Sequence, residues 1–339
     1  MQSLTEPTPL DIRTAPRPRE TGRAESDLLS IVVPVYNESE LIGRLHAEVS
    51  QVMDRTGHPW EAIYVDDGSS DGSLALLLQE AERDRRVTVV ELSRNWGNQP
   101  ALTAGLGVAR GAAVILMDAD LQDPPGVILD LVARWRDGSQ VIIAQRRSRV
   151  ETGIRRLLFP LFYKLFGFLS DYPIPLNAGT FGLLDRQAVD AINRLAESNR
   201  YLPGLRSWVG FRTSVIYYDR AKRAAGEPKQ SLTRLVGYAL DALFSFSYKP
   251  LRLSLLLGVS TAVMAVSLGI LFIILRLYNI GLFGMPVVPG YTSTIVLIVF
   301  LGGIQLICLG LLGEYVGRIY DEVKRRPLYL IQRIHRTDD

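Results

Sequence analysis

Three short polar stretches stand directly behind apolar, β-branched runs: Pro34-Val35-Tyr36-Asn37-Glu38, Asp66-Asp67-Gly68-Ser69-Ser70-Asp71 and Asp118-Ala119-Asp120-Leu121-Gln122-Asp123-Pro124-Pro125. Asp118 and Asp120 are two residues apart, close enough at a frayed strand end for oxygens of both to approach one hard cation. A divalent metal bridging a diphosphate is the natural use of such a pair. Asp66–Asp71 taken alone also reads as a turn followed by a helix cap, because Asp, Gly and Ser favour both, and an isolated Asp-x-Asp recurs by chance. Three such stretches at strand ends point to a shared ligand site. The chain lacks the G-x-G-x-x-G of a dinucleotide fold and the G-x-x-x-x-G-K-[ST] of a P-loop in the required contexts. Its one cysteine, Cys308, and its histidines at 46, 58 and 335 have no zinc or Cys/His-nucleophile spacing.

The elements that must carry these residues follow from periodicity. Ser30–Val35, Ala62–Val65, Val87–Leu92, Ala113–Met117 and Val141–Ala144 predict strands. Between them, Glu38–Met53, with Leu41, Leu45, Val49 and Val52 on one face, predicts a helix, as do Ser73–Glu82 and Ala101–Val108. Such alternation implies an α/β domain with a mostly parallel sheet covered on both faces. Ligands of these sheets bind beyond the carboxyl ends of the strands, which is where the acidic stretches fall.

The chain has 339 residues, room for a large catalytic domain, and its 38 Lys+Arg against 35 Asp+Glu are too balanced for binding driven by net charge to nucleic acid. The apolar residues are concentrated late. Leu253–Leu275 and Tyr291–Gly313 are two uncharged runs of 23 residues, each long enough to cross hydrocarbon as a helix, which needs about 20. Lys249 and Arg252 precede the pair, and Arg318, Lys324, Arg325, Arg326, Arg333 and Arg336 follow it, whereas Tyr278–Gly290 between them is uncharged. This asymmetry predicts a multi-pass protein of the cytoplasmic membrane with the catalytic domain and both termini in the cytoplasm. Gly302, Gly303, Gly310 and Gly313 would permit close helix approach, and a homo-oligomer is expected. The expected organisation is a disordered tail at 1–27, a cytoplasmic catalytic domain at 28–230, an amphipathic juxtamembrane helix at 231–252, two transmembrane helices within 253–313 and a cytoplasmic tail at 314–339. Ile154–Leu169 and Leu232–Tyr248 combine basic and apolar residues in the manner of interfacial helices.

With these residues in view, the chain resembles the inverting family 2 glycosyltransferases of GT-A fold, and within them the polyprenyl-phosphate glycosyltransferases of the bactoprenol glucosyltransferase type, relatives of dolichyl-phosphate mannosyltransferase. The likeness runs from about Leu28 to Ile331. Besides the three stretches above, it rests on Ser93-Arg94-Asn95-Trp96-Gly97, Ala101-Leu102-Thr103-Ala104-Gly105, Ser245-Phe246-Ser247-Tyr248-Lys249-Pro250-Leu251 and Gly313-Glu314-Tyr315-Val316-Gly317-Arg318-Ile319-Tyr320. It implies that Pro34, Tyr36, Glu38 and Asp67 line a nucleotide pocket, and that Asp118, Asp120 and Gln122 hold Mg²⁺ or Mn²⁺ against the diphosphate of a nucleotide-sugar donor. It places Arg223 and Lys229, in the basic loop Asp219–Ser231, near phosphates, with Arg146 and Arg147 as lesser candidates. The implied reaction moves one sugar, with glucose from UDP-glucose as the leading choice, to polyprenyl (undecaprenyl) phosphate. A flippase is a candidate partner.

The chain also departs from the family. Where members often carry an acidic residue and an arginine, it holds Thr180 and Gly182; Asn98 replaces a more usual basic or histidine residue, and Pro228 and Gln230 stand where Ser and Tyr are common. A carboxylate base at position 180 is therefore unsupported. Two alternatives remain at this level: a processive polysaccharide synthase, which usually has a Q-x-x-R-W motif and more spans, and a catalytically silent scaffold that binds lipid phosphate.

Overall fold

The computed structural model describes residues 27–147, 178–195, 197, 200–219, 249–277 and 291–336. The five expected strands are present as β1 (Leu29–Val35), β2 (Trp60–Asp66), β3 (Val87–Leu92), β4 (Ala113–Leu116) and β5 (Val141–Arg146). The three expected helices are α1 (Ile42–Asp54), α2 (Ser73–Arg83) and α3 (Asn98–Val108). The remaining described elements are α4 (Val127–Arg136), β6 (Ala178–Asp185), α5 (Arg186–Arg194), α6 (Leu202–Trp208), β7 (Thr213–Tyr218), α7 (Lys249–Leu277), α8 (Tyr291–Lys324) and β8 (Ile331–Arg336).

All eight strands form one sheet in the order β7-β5-β6-β4-β1-β2-β3-β8. Its centre is parallel, with β1 between β2 and β4 and β3 outside β2. β5 and β7 are also parallel. β6 runs antiparallel between β4 and β5, and β8 antiparallel along β3. The sheet is thus a mixed one around a parallel centre. Alternation along β1 builds both layers: Ile31 and Val33 pack with α1, α2 and α4, whereas Val32 packs with α3, α5 and α6. The carboxyl ends of β1, β2, β4, β5 and β7 and the amino end of β6 consequently meet on one edge.

α1 starts at Ile42, four residues after the predicted start at Glu38. The cause is local. The amide of Glu38 donates to Ser73 Oγ at 3.0 Å and that of Ser39 to Asp71 Oδ2 at 3.0 Å, so side chains from the next loop take the donors that a first helical turn would present. Against the opposing effect of burial, hydrogen bonds from the Ser73 hydroxyl and amide and from the Ser39 amide hold the carboxyl of Asp71 down to about 2.

The late apolar runs are helical. α8 has 34 residues, about 50 Å at 1.5 Å per residue, against roughly 30 Å of hydrocarbon. Its part Phe300–Lys324 is long and apolar enough to cross a membrane and is not buried in protein. The apolar part of α7, Ser254–Leu268, is shorter. The two helices touch, with Cys308 Sγ 3.8 Å from the carbonyl oxygen of Ser254. Beyond α8, Arg325 takes a left-handed φ of 49° and the chain returns to the domain. The segment expected as a tail therefore completes the sheet as β8, with the Ser93 amide donating to Leu330 O at 2.9 Å. Ile154–Leu169, Leu232–Tyr248, Tyr278–Gly290 and residues 1–26 lie outside the described residues.

α3 lies close on the sheet because of Gly105, where a Cβ would stand 2.2 Å from Val32 Cγ1 and 3.2 Å from Val65 Cγ2. Replacing Gly105 with Ala should push α3 off β1 and cost about 1–3 kcal/mol of stability, the usual range for overpacking. Urea unfolding of the purified protein measures it, and an unchanged midpoint would refute the close approach.

Candidate active site

The site is assembled from loops that follow β1, β2 and β4, and each is fastened to its neighbour. After β1, Asn37 adopts φ 55°; its amide donates to Ser69 Oγ at 3.1 Å and its Oδ1 accepts from the Ser70 amide at 2.8 Å. After β2, Asp67 is 3% exposed, and its carboxylate accepts from the Trp96 amide at 2.7 Å and the Gly97 amide at 2.8 Å. Burial nevertheless pushes the Asp67 carboxyl above the usual carboxylate range. Gly68 lets the turn come close, since a Cβ there would meet the backbone of Arg94 and Asn95 at 2.6 Å, and its φ is +71°. Asp67 thus holds the loop that launches α3.

The first residue of α3 completes a chain of contacts. Asn98 Nδ2 donates to Asp118 Oδ1 at 3.1 Å. Thr180, near the start of β6, places Oγ1 3.4 Å from the same oxygen. Asp120 accepts through Oδ1 from the Gln122 amide at 3.1 Å, which tightens the loop after β4. Asp123, 1% exposed, accepts from the Tyr218 hydroxyl, and Arg146 Nη2 is 3.7 Å from Asp123 Oδ1. Burial raises the Asp118 carboxyl, the Asn98 hydrogen bond opposes this, and the charges of Asp123 and Asp120 raise it further.

The structure therefore brings Pro34, Tyr36, Glu38, Asp67, Asp118, Asp120 and Gln122 to one edge of the sheet, through the adjacency of β2, β1 and β4. Tyr36 is 43% exposed, open to a ligand. Arg146 joins the group. Arg147 instead turns to Asp219 at 3.7 Å, and Arg223 and Lys229 lie outside the described residues. Sequence reasoning gave no role to Asp123 or Tyr218, which are 95 residues apart and carry no local signal of their pairing. It treated Asn98 and Thr180 as departures, and both touch Asp118.

The donor set fits a hard divalent cation. Two carboxylates at the end of β4 offer oxygen ligands, and burial, followed by the charges of Asp123 and Asp120, raises the Asp118 carboxyl, a cost that a cation relieves. Among the described residues no group of three or more His, Cys, Asp and Glu side chains forms a cage. A cation held here would take its other ligands from diphosphate and water, as Mg²⁺ commonly does.

Residues 30–192 match the model of Glycosyl transferase family 2. An uncharacterized glycosyltransferase of Synechocystis sp. is 43% identical over 304 residues, covering 89% of this chain and 94% of that protein. The SfII prophage-derived bactoprenol glucosyl transferase of Shigella flexneri is 41% identical over 309 residues, 91% of this chain and 98% of that protein. Among solved structures, mannosyl-3-phosphoglycerate synthase from Rubrobacter xylanophilus superimposes with a TM-score of 0.46 at 17% identity, covering 64% of this chain and 72% of that one. The family match and these relatives define the class, a glycosyltransferase. The chain belongs to glycosyltransferase family 2.

Asp67→Asn keeps one acceptor but turns an amide NH₂ toward a backbone N–H. Loss of one charged hydrogen bond should lower stability by about 1.5–3 kcal/mol, measured by denaturant unfolding. A stability equal to the wild type would show that the β3–α3 loop does not depend on this carboxylate.

Proposed function

We propose that the protein transfers a single sugar from a nucleotide-sugar donor to polyprenyl phosphate at the cytoplasmic face of the membrane, with inversion at the anomeric carbon. The observation that carries the acceptor class is the 41% identity with a bactoprenol glucosyl transferase across 91% of the chain. The strand-end carboxylates support the chemistry.

In this reading Asp118, Asp120 and Gln122 hold Mg²⁺ or Mn²⁺, and Pro34, Tyr36, Glu38 and Asp67 line the nucleotide pocket. When bound, the cation supplies charge stabilisation to the departing diphosphate. A phosphate oxygen of the acceptor forms the new bond to the anomeric carbon, and the electron pair of the broken bond leaves with the nucleoside diphosphate. A phosphate monoester, with a second pKa of about 6, is largely dianionic at neutral pH and needs no strong base. Thr180 in place of an acidic residue is compatible with that nucleophile. Arg146, Arg223 and Lys229 supply positive charge to phosphates, Arg through its bidentate geometry. Glucose from UDP-glucose is the leading donor. α7 and α8 act as a two-span hairpin with both ends cytoplasmic, and the amphipathic segments bring the site to the headgroup level. A homo-oligomer and a flippase partner complete the proposal.

Purified protein with Mn²⁺, undecaprenyl phosphate and a panel of labelled nucleotide sugars should yield one glycosylated lipid. Long polymer would favour a synthase, and no turnover with any donor a scaffold. Asp120→Ala should lower transfer by at least about 100-fold, within the range for loss of one transition-state electrostatic contact, while membrane insertion persists. Wild-type rates in that variant would remove the metal assignment.

Lys229→Ala should raise the KM for polyprenyl phosphate or donor about ten-fold, equal to roughly 1.4 kcal/mol, with a smaller effect on kcat. Steady-state kinetics against both substrates decides it, and unchanged constants would take Lys229 out of the site.

A further inference from the structure

One charged group near the site has no evident use in the reaction. Arg206, on α6, is 3% exposed, and among the described residues no carboxylate pairs with it. Its Nη2 donates to Gly179 O at 2.7 Å and its Nη1 to Thr180 O at 3.3 Å. Its Nε is buried without a partner. Burial lowers its pKa to about 10, so it remains a cation at neutral pH. A buried cation satisfied only by carbonyls is costly, and a neutral apolar side chain would join α6 to the sheet at less expense.

The location of those two carbonyls is informative. The antiparallel ladder between β4 and β6 runs from Ala113↔Asp185 to Leu116↔Gly182 and stops there. Continuing that register sets Thr180 opposite Asp118, two residues beyond the last ladder pair. The β5 side is irregular over the same stretch, with a register shift between Ile143 and Gln145. Gly179 and Thr180 are therefore where β6 loses its strand partners, and Arg206 grips both. Gly182 instead lets β6 lie close on β5: a Cβ there would stand 2.3 Å from Ile142 O, whereas Arg206 Nη1, at 3.5 Å, would be at ordinary contact distance. Thr180 and Arg206 thus act as one set, whereas Gly182 answers to the close approach of β5.

We propose that Arg206 is a positioning residue for the cation-binding carboxylate: it fixes the amino end of β6 so that the Thr180 hydroxyl orients Asp118. The inference rests on the metal-dependent reading above. Hydrogen bonds behind a ligating carboxylate set its direction, and their loss typically weakens metal binding 10–100-fold.

The test is Mn²⁺ binding to the full chain in detergent, followed by electron paramagnetic resonance of free Mn²⁺, with no turnover required. Arg206→Met, which fills the volume without charge, should weaken Mn²⁺ binding on the order of ten-fold. Thr180→Val should do likewise. The double variant should be no worse than the weaker single one, because both break the same link. Arg206→Lys should restore binding to within about three-fold of wild type, since an ammonium can still donate to both carbonyls. Wild-type affinity in Arg206→Met, additive losses in the double variant, or absence of Mn²⁺ binding by the wild type would overturn the proposal. If Arg206→Met does not fold, Thr180→Val decides alone, and wild-type affinity there refutes the link. Failure to form any glycolipid alongside the expected Mn²⁺ pattern would sink the reaction but leave the role of Arg206 standing.

Discussion

Asp118, Asp120 and Asp123 lie within six residues at the end of β4, and holding three carboxylates together in a half-enclosed place opposes folding unless their repulsion is offset. The protein offsets it only in part. Asp123 is met by the Tyr218 hydroxyl and approached by Arg146, and Asp118 has the Asn98 amide and the Thr180 hydroxyl as partners and feels the charge of Arg146, yet its carboxyl stays raised. The shortfall sits where a parallel sheet opens its carboxyl edge to solvent. In the proposed function a divalent cation relieves this repulsion, and the surrounding loops keep the carboxylates together for it.

The support is a relay of short polar contacts. Asp67 holds the amides of Trp96 and Gly97, that loop starts α3, and the first residue of α3 touches Asp118. On the other flank, Arg206 holds the strand from which Thr180 reaches the same carboxylate oxygen. The loops after β2 and β4 are thereby parts of one framework.

The return of the chain as β8 joins this framework to the apolar helices. α8 exceeds the thickness of hydrocarbon, and the strand after it pairs with β3, whose following residue Ser93 begins the loop held by Asp67. In the proposed function the site must stay at a set height over the bilayer. A strand in the catalytic sheet that follows the apolar helix after six residues is a short tether for that purpose.

Much of this was legible in the residues alone. The five parallel-type strands, three of their helices and the acidic strand ends follow from local rules: period-two and period-3.6 apolar patterns, and turn residues in sequence. The two long apolar runs follow from composition. What the sequence could not decide was everything set by contacts between distant residues. β6 reads as a motif with missing charges until its register places Thr180 opposite Asp118. β8 has only two isoleucines among polar residues and becomes a strand because β3 offers an open edge. Asp123 with Tyr218, and Arg206 with Gly179 and Thr180, are pairs whose chemistry exists only once the sheet has closed the distance, because hydrogen bonds act over about 3 Å while sequence patterns report only on neighbours along the chain.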